Sequence, residues 1–386
     1  MATVSALPLA NSQQPTANSA LSPLYATLFA SAAIVVGLVW DISWHRTIGR
    51  DTFWSPPHVL EQVAALVAGV SCGWLVLRTT FGGDPAAKQS SIRVWGFYGP
   101  LGAWVCIWGT AMMIASAPFD NWWHNAYGLD VKIISPPHMV LAWGMMGIQV
   151  GAMLLAVSGQ NRGAHDPRLK LIYAASAGIL LTMFATVIVE DAGFGNEMRS
   201  PMFYRMTAIV IPVALIGAAR ASGLRWPATT VAAIYTALML GMIWILQIVP
   251  ATPLLAPIYN PVTRMVPPPF PLLLIIPAFL LDLVLPRTRA MKDWLLAPLL
   301  GVGFVVVMVA VHWYWSEFLL SPAARNWFFA VDKWDYTNRL GPWRYEYWTT
   351  ASAADFALSL RWTLLAATIS SLLGLWIGKG MSKVQR

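Results

Sequence analysis

Six histidines stand in the 386 residues, and four of them fall in two copies of one pattern. The first copy is Asp41, His45 and His58, with Glu61 three residues further on. The second is Asp120, His124 and His138. Both read D-x-x-W-H followed by S-P-P-H. The equivalent Asp and first His are 79 residues apart, and the second His 80. An Asp and a His four apart share one face of a helical turn. Paired prolines suit a helix start, where a missing N–H costs nothing. "SPPH" therefore predicts that His58 and His138 each sit in the first turn of a helix, facing back toward the preceding loop. Imidazoles beside carboxylates are good ligands for divalent transition metals, and nitrogen-rich sets suit copper, zinc or iron. Two other chemistries use the same residue types: a proton relay through Asp, Glu and His, and bis-histidine haem ligation. Haem would leave the paired Asp without a role. Glu61 lies within an apolar run, and an acid there is costly unless it is paired or functional.

The elements that position these residues follow from composition. The chain is 57% hydrophobic and 11% charged, with 21 tryptophans. Soluble domains carry roughly 25% charged residues, and Trp concentrates at membrane interfaces. The fold expected is an all-α polytopic bundle, with spans at 24–44, 58–78, 94–117, 138–158, 171–189, 206–223, 228–249, 268–286, 294–316 and 357–378. Residues 1–22 are polar and read as a disordered tail; they lack the basic stretch, apolar run and cleavage site of a signal peptide. Residues 23–225 form one membrane region holding both motifs. Residues 226–386 form a second, with an outer hairpin at 317–356. Cys72 and Cys106 lie inside apolar runs and read as buried helix residues.

Charge sets the expected orientation. On one side of the spans 14 basic residues face 4 acids, a net of +10; on the other, 11 face 13, a net of −2. Together these give the chain's +8. The positive-inside rule assigns the +10 side, with both termini, to the cytoplasm. Both motifs then sit on the outer side at one depth. The positive charge belongs to topology, so nucleic-acid binding is rejected. Of the remaining histidines, His165 reads as a solvated loop residue. His312 reads as a helix-end cap, with Glu317 as a possible partner.

The stretch "WHRTIGRDTFWSPPHVLE" resembles the metal-binding segment of the C subunit of particulate methane monooxygenase and its ammonia and hydrocarbon monooxygenase relatives. That family has Asp-x-x-x-His, twelve residues, then a His entering a helix with Glu three further on. Asp41, His45, His58 and Glu61 match at that spacing. Its second segment has Asn-x-x-x-His and a His fourteen on; His124 and His138 match, but Asp120 stands where the family has Asn, with Asn121 one position off. The match covers residues 38–145. The resemblance implies a copper centre of Asp41, His45 and His58, and a neighbouring one that shares or exchanges His58 with His124 and Asp120. Glu61, Asn121 and Trp44 or Trp123 would surround the ligands. It also implies oxygen activation in a bacterial or archaeal inner membrane, and a trimeric assembly with a separate soluble copper-binding subunit. Segments 258–285 and 319–348 more faintly resemble the family's A subunit. Met112, Met113, Met139, Met145 and Met146 near the second copy keep open a non-catalytic copper-binding or copper-transfer protein. Acids Glu190, Asp191 and Glu197 fall on the outer side, where they read as a solvated loop or as lining an entry to the site.

Overall fold

The computed structural model describes residues 17–128, 135–163, 166–191, 195–339, 346–349 and 352–386. Helices dominate: α1 (Ala17–Thr47), α2 (Pro56–Phe81), the short α3 (Pro85–Gln89), α4 (Leu101–Tyr127), α5 (Pro136–Asn161), α6 (Pro167–Phe184), α7 (Pro201–Ala221), α8 (Pro227–Leu246), α9 (Ile275–Arg287), α10 (Asp293–Leu320) and α11 (Ala353–Met381). Nine helical segments among the described residues are long and apolar enough to cross a membrane. The chain is an all-α polytopic membrane protein. Residues 1–16 and His165 lie outside the described residues, and α1 already begins inside the stretch read as tail.

Three boundaries differ from the sequence reading for local reasons. The third span starts at Leu101 rather than 94, because Ile92–Val94 and Phe97–Gly99 pair as an antiparallel hairpin. Its two-residue turn, Trp95 and Gly96, takes positive φ at both positions, the conformation that tight hairpins favour. The first and third spans run past their predicted ends, so His45 and His124 lie in the last turns of α1 and α4 rather than in loops.

The eighth span is cut short. Pro267, Pro268, Pro269 and Pro271 cannot donate ladder hydrogen bonds, and helix begins only at Ile275. The 13 residues of α9 reach about 20 Å at 1.5 Å per residue, short of an apolar core about 30 Å thick. Non-helical backbone at that depth is tolerated only when buried in protein. Met265, Val266, Leu272 and Leu274 are buried. Side chains supply the missing partners: Val266 N–H donates to Thr47 Oγ1, Ser43 donates to Val266 O, Leu272 N–H donates to Tyr235, and Tyr347 donates to Phe270 O.

The two motifs occupy equivalent helix pairs. Helices α1 and α2 form one pair, α4 and α5 the other, and contacts of α1 with α5 and α2 with α4 close a four-helix ring. Close approach of α4 and α5 depends on glycine: a Cβ on Gly109 would sit 2.7 Å from Gly144 O. Cys72 and Cys106 are buried, and their thiols meet across the α2–α4 seam. Helices α7, α10 and α11 pack as the second part of the bundle, and α6 and α8 contact each other beside them.

Candidate metal centres

Asp41 and His45 lie one turn apart on α1, with His45 Nε2 3.7 Å from Asp41 Oδ2. The next residues form a tight connection in which Gly49 takes φ +81° and Thr52 N–H donates to Ser55 Oγ. Pro56 and Pro57 then start α2, and His58 enters in its first turn as expected. His58 Nε2 comes within 3.1 Å of Asp41 Oδ1.

The connection contributes a fourth group. Asp51 Oδ2 lies 3.6 Å from His45 Nε2 and 3.5 Å from His58 Nε2. One ligand atom from each of Asp41, His45 and Asp51 falls within 4.8 Å of the others. Donors bound at about 2.0–2.1 Å around one tetrahedral ion are separated by about 3.4 Å, so these spacings fit a shared ion.

The second copy repeats the arrangement in a more open form. His124 Nε2 is 3.2 Å from Asp120 Oδ2, one turn back on α4, and His138 Nε2 is 3.7 Å from Asp120 Oδ1. Ser135 caps α5 by accepting from His138 N–H. Asp120 alone bridges its two histidines among the described residues.

Hydrogen bonding fixes which ring nitrogen faces the carboxylates. His58 Nδ1 lies 2.9 Å from Thr52 O, and His124 Nδ1 lies 3.2 Å from Gly128 O. A carbonyl only accepts, so each Nδ1 carries the proton and donates. In a neutral imidazole the Nε2 lone pair then points at a carboxylate. Two acceptors face each other, and either a proton on Nε2 or a bound cation resolves the conflict. Asp41 Oδ1 and Asp120 Oδ1 are buried, and among the described residues they face the Nε2 atoms of His58 at 3.1 Å and His138 at 3.7 Å. The donor set therefore fits a metal ion. With both imidazoles neutral, the two carboxylates of the first site give it −2, which would complement a divalent cation.

Arg46 does not fill that role. It turns away from His45 to Asp335, Glu346 and the carbonyl of Pro267. Glu346 also accepts from Asn196. Burial pushes the Glu346 carboxyl above its usual range, and Arg46 pulls it back.

The other site residues divide. Glu61 is buried on α2, where a Cβ on Gly37 of α1 would collide with its side chain. It lies close enough to Asp41 and His58 to feel their charges. Its equivalent in the second copy is Leu141. Asn121 is exposed on α4, and its backbone carbonyl accepts from the Asn125 side chain. His58 pairs with Asp41 and Asp51, while Asp120 pairs with His124 and His138. In the first copy the connection after α1 brings His58 back onto the end of its own helix. His312 is buried rather than capping a helix end. Its Nδ1 lies 3.0 Å from the Tyr204 hydroxyl, its ring stacks on Phe203, and Glu317 pairs with Arg199 instead. The side chains of Glu190 and Asp191 lie outside the described residues.

The sequence reading missed Asp51, although a signal existed. The repeat extends as D-x-x-W-H-x-x-x-G-x-D, with Gly49 and Asp51 equivalent to Gly128 and Asp130. Both glycines take positive φ, +81° and +89°. Asp130 lies outside the described residues. No family model, curated protein or solved structure matches the chain.

Proposed function

We propose that this chain is the copper-holding membrane subunit of a monooxygenase that activates oxygen to oxidise a small lipophilic molecule such as methane, ammonia or a short alkane. The observation that carries the proposal is the twice-built donor set, in which proton-bearing Nδ1 atoms leave Nε2 of His58 and His124 facing carboxylates. Nitrogen-rich sets with carboxylates suit copper. Asp41, His45, His58 and Asp51 would hold one ion, and Asp120, His124 and His138 a second. Bound copper would supply the redox couple for reducing oxygen, with two electrons and two protons drawn from a donor outside this chain. The carbonyls of Thr52 and Gly128 orient the imidazoles, the role that outer hydrogen bonds play at metal sites. Glu61, buried beneath Asp41 and His58, is placed to hold a proton. Asp51 extends the ligand set beyond the resemblance.

In this reading the +10 side faces the cytoplasm of a bacterial or archaeal inner membrane, and the centres face outward. A separate soluble copper-binding subunit and a trimeric assembly belong to the same reading. The half-exposed side chain of His45 favours a second reading, a non-catalytic protein that holds or passes on copper. Purified chain loaded with copper, given a chemical reductant, 18O-labelled dioxygen and a short alkane or ammonia, separates them. The proposal expects labelled oxygen in the product. Bound copper with no incorporation transfers the assignment to the second reading, and haem absorption bands in place of copper would end both.

A further inference from the structure

Another feature that lacks a partner lies outside the two histidine motifs, where α7 meets α11. A cavity of about 460 Å³ there is lined by Arg205, Arg361, Glu197 and Asp355 among others. It continues into an apolar groove of about 320 Å³ lined by Ile209, Trp362, Leu365 and Ile369. Arg205 and Trp362 line both, so the two are one path.

The polar end is short of an anion. Arg205 Nε is buried and has no hydrogen-bond partner. Neither Arg205 nor Arg361 forms an ion pair among the described residues; Arg361 only lies over the Trp362 ring. The two acids are committed elsewhere. Asp355 accepts from Ser352 in the capping box that starts α11, and Glu197, whose backbone bridges to Trp348, makes a further interaction but forms no ion pair with either arginine. Leaving a guanidinium partly buried without a counter-charge is costly, and its fork of donors matches a phosphate.

The apolar end runs inward along both helices. Arg205 and Ile209 are four residues apart on α7, and Trp362, Leu365 and Ile369 are spaced by three and four on α11, which places each set on one face. Ile209, Leu365 and Ile369 are 44%, 49% and 50% exposed, as lipid-facing side chains are. Trp362 stands at the junction, where an interfacial Trp belongs. The order from helix start to membrane interior is cation, tryptophan, aliphatic groove.

We propose that this seam binds an anionic phospholipid, its phosphate held by Arg205 and Arg361 and one acyl chain lying in the groove below. Charge complementarity selects the headgroup, and the continuous groove selects a lipid over a free anion.

The test is native mass spectrometry of the full chain released from vesicles of equal parts phosphatidylglycerol and phosphatidylcholine. Retention of phosphatidylglycerol over phosphatidylcholine is expected. Arg205→Gln and Arg361→Gln should each weaken it on the order of tenfold, the value of a charge-assisted bond, and Arg205→Lys should restore part of it. Arg361 is exposed, so its variant leaves folding intact and keeps the test valid if Arg205→Gln misfolds. Ile369→Trp, which fills the groove, should also release the lipid. Equal retention of phosphatidylcholine, unchanged retention in Arg361→Gln, or displacement of the lipid by inorganic phosphate alone would overturn the proposal.

Discussion

Replacing Arg46 with Met exposes how the outer segment is tied to the first centre. Arg46 follows His45 directly and holds Asp335, Glu346 and Pro267 O, so one side chain joins α1, the proline-rich segment and the loop before α11. Asp335 is 32% exposed and Glu346 4%. The screened Asp335 pair is worth about 0–1 kcal/mol. Breaking the buried Glu346 pair by removing one partner costs about 3–5 kcal/mol, because the other charge is left buried. The sum is dominated by Glu346, and that gives the loss a pH signature. Burial already raises the Glu346 carboxyl and Arg46 lowers it; without Arg46 only the raising influence of burial and of Asp335 remains, alongside the bond from Asn196. A carboxyl whose folded pKa lies above its unfolded value stabilises the fold below the unfolded pKa, and that contribution is lost as pH rises through the folded pKa. The variant is therefore weakest at neutral and alkaline pH and recovers as the buffer is acidified toward the ordinary glutamate range. Unfolding of the detergent-solubilised chain, followed by tryptophan fluorescence across pH, reads both effects. Glu346→Gln keeps an oxygen for Asn196 but removes the charge, so adding it to Arg46→Met should restore part of the loss and flatten the pH dependence. A loss below about 1 kcal/mol, the same at every pH, would refute the burial argument.

Three more substitutions test the connections of the site and the packing of the bundle. Gly49→Ala places a Cβ at φ +81° against the Tyr336 hydroxyl, adding a collision to a left-handed penalty of about 1–2 kcal/mol; Gly128→Ala meets nothing within 4 Å among the described residues and should cost only the strain of φ 89°, ψ 177°, about 1–3 kcal/mol. Equal thermal shifts in the two variants would contradict the packing of Tyr336 on the first connection. Asp282 of α9 caps α8 from outside, accepting from Ala228 N–H, Thr229 N–H and Thr229 Oγ1. Asp282→Ala should therefore cost about 2–3 kcal/mol, and retention of wild-type stability in a denaturation series would show the cap to be dispensable.

The spans and the two histidine clusters were legible because both are local. Apolar runs announce helices, and Asp-x-x-x-His with a proline-led His needs only one turn and one loop to converge. Asp51 was present in the same repeat but escaped notice, because its role depends on a glycine-led reversal rather than on helical spacing. The eighth span misled because hydropathy reads Pro267–Leu274 as apolar, whereas proline decides whether such a run is helical. Arg46 was invisible: its carboxylate partners lie 289 and 300 residues away, and nothing in the local pattern predicts them. His312 falls near the outer end of the ninth predicted span, where a cap is expected, and packing against Phe203 and Tyr204 buries it.

The central claim is that each copy of the motif holds its own metal ion, and copper counting across single-site variants tests it most directly. The full chain, loaded with copper and freed of excess, should bind two ions. His58→Ala should remove one and leave the second, His124→Ala the reverse, and the double variant should bind neither. The electron paramagnetic signals of the two singles should add up to that of the unaltered chain. A wild type without copper, or a His58→Ala variant that loses both ions at once while remaining folded, would contradict two independent centres.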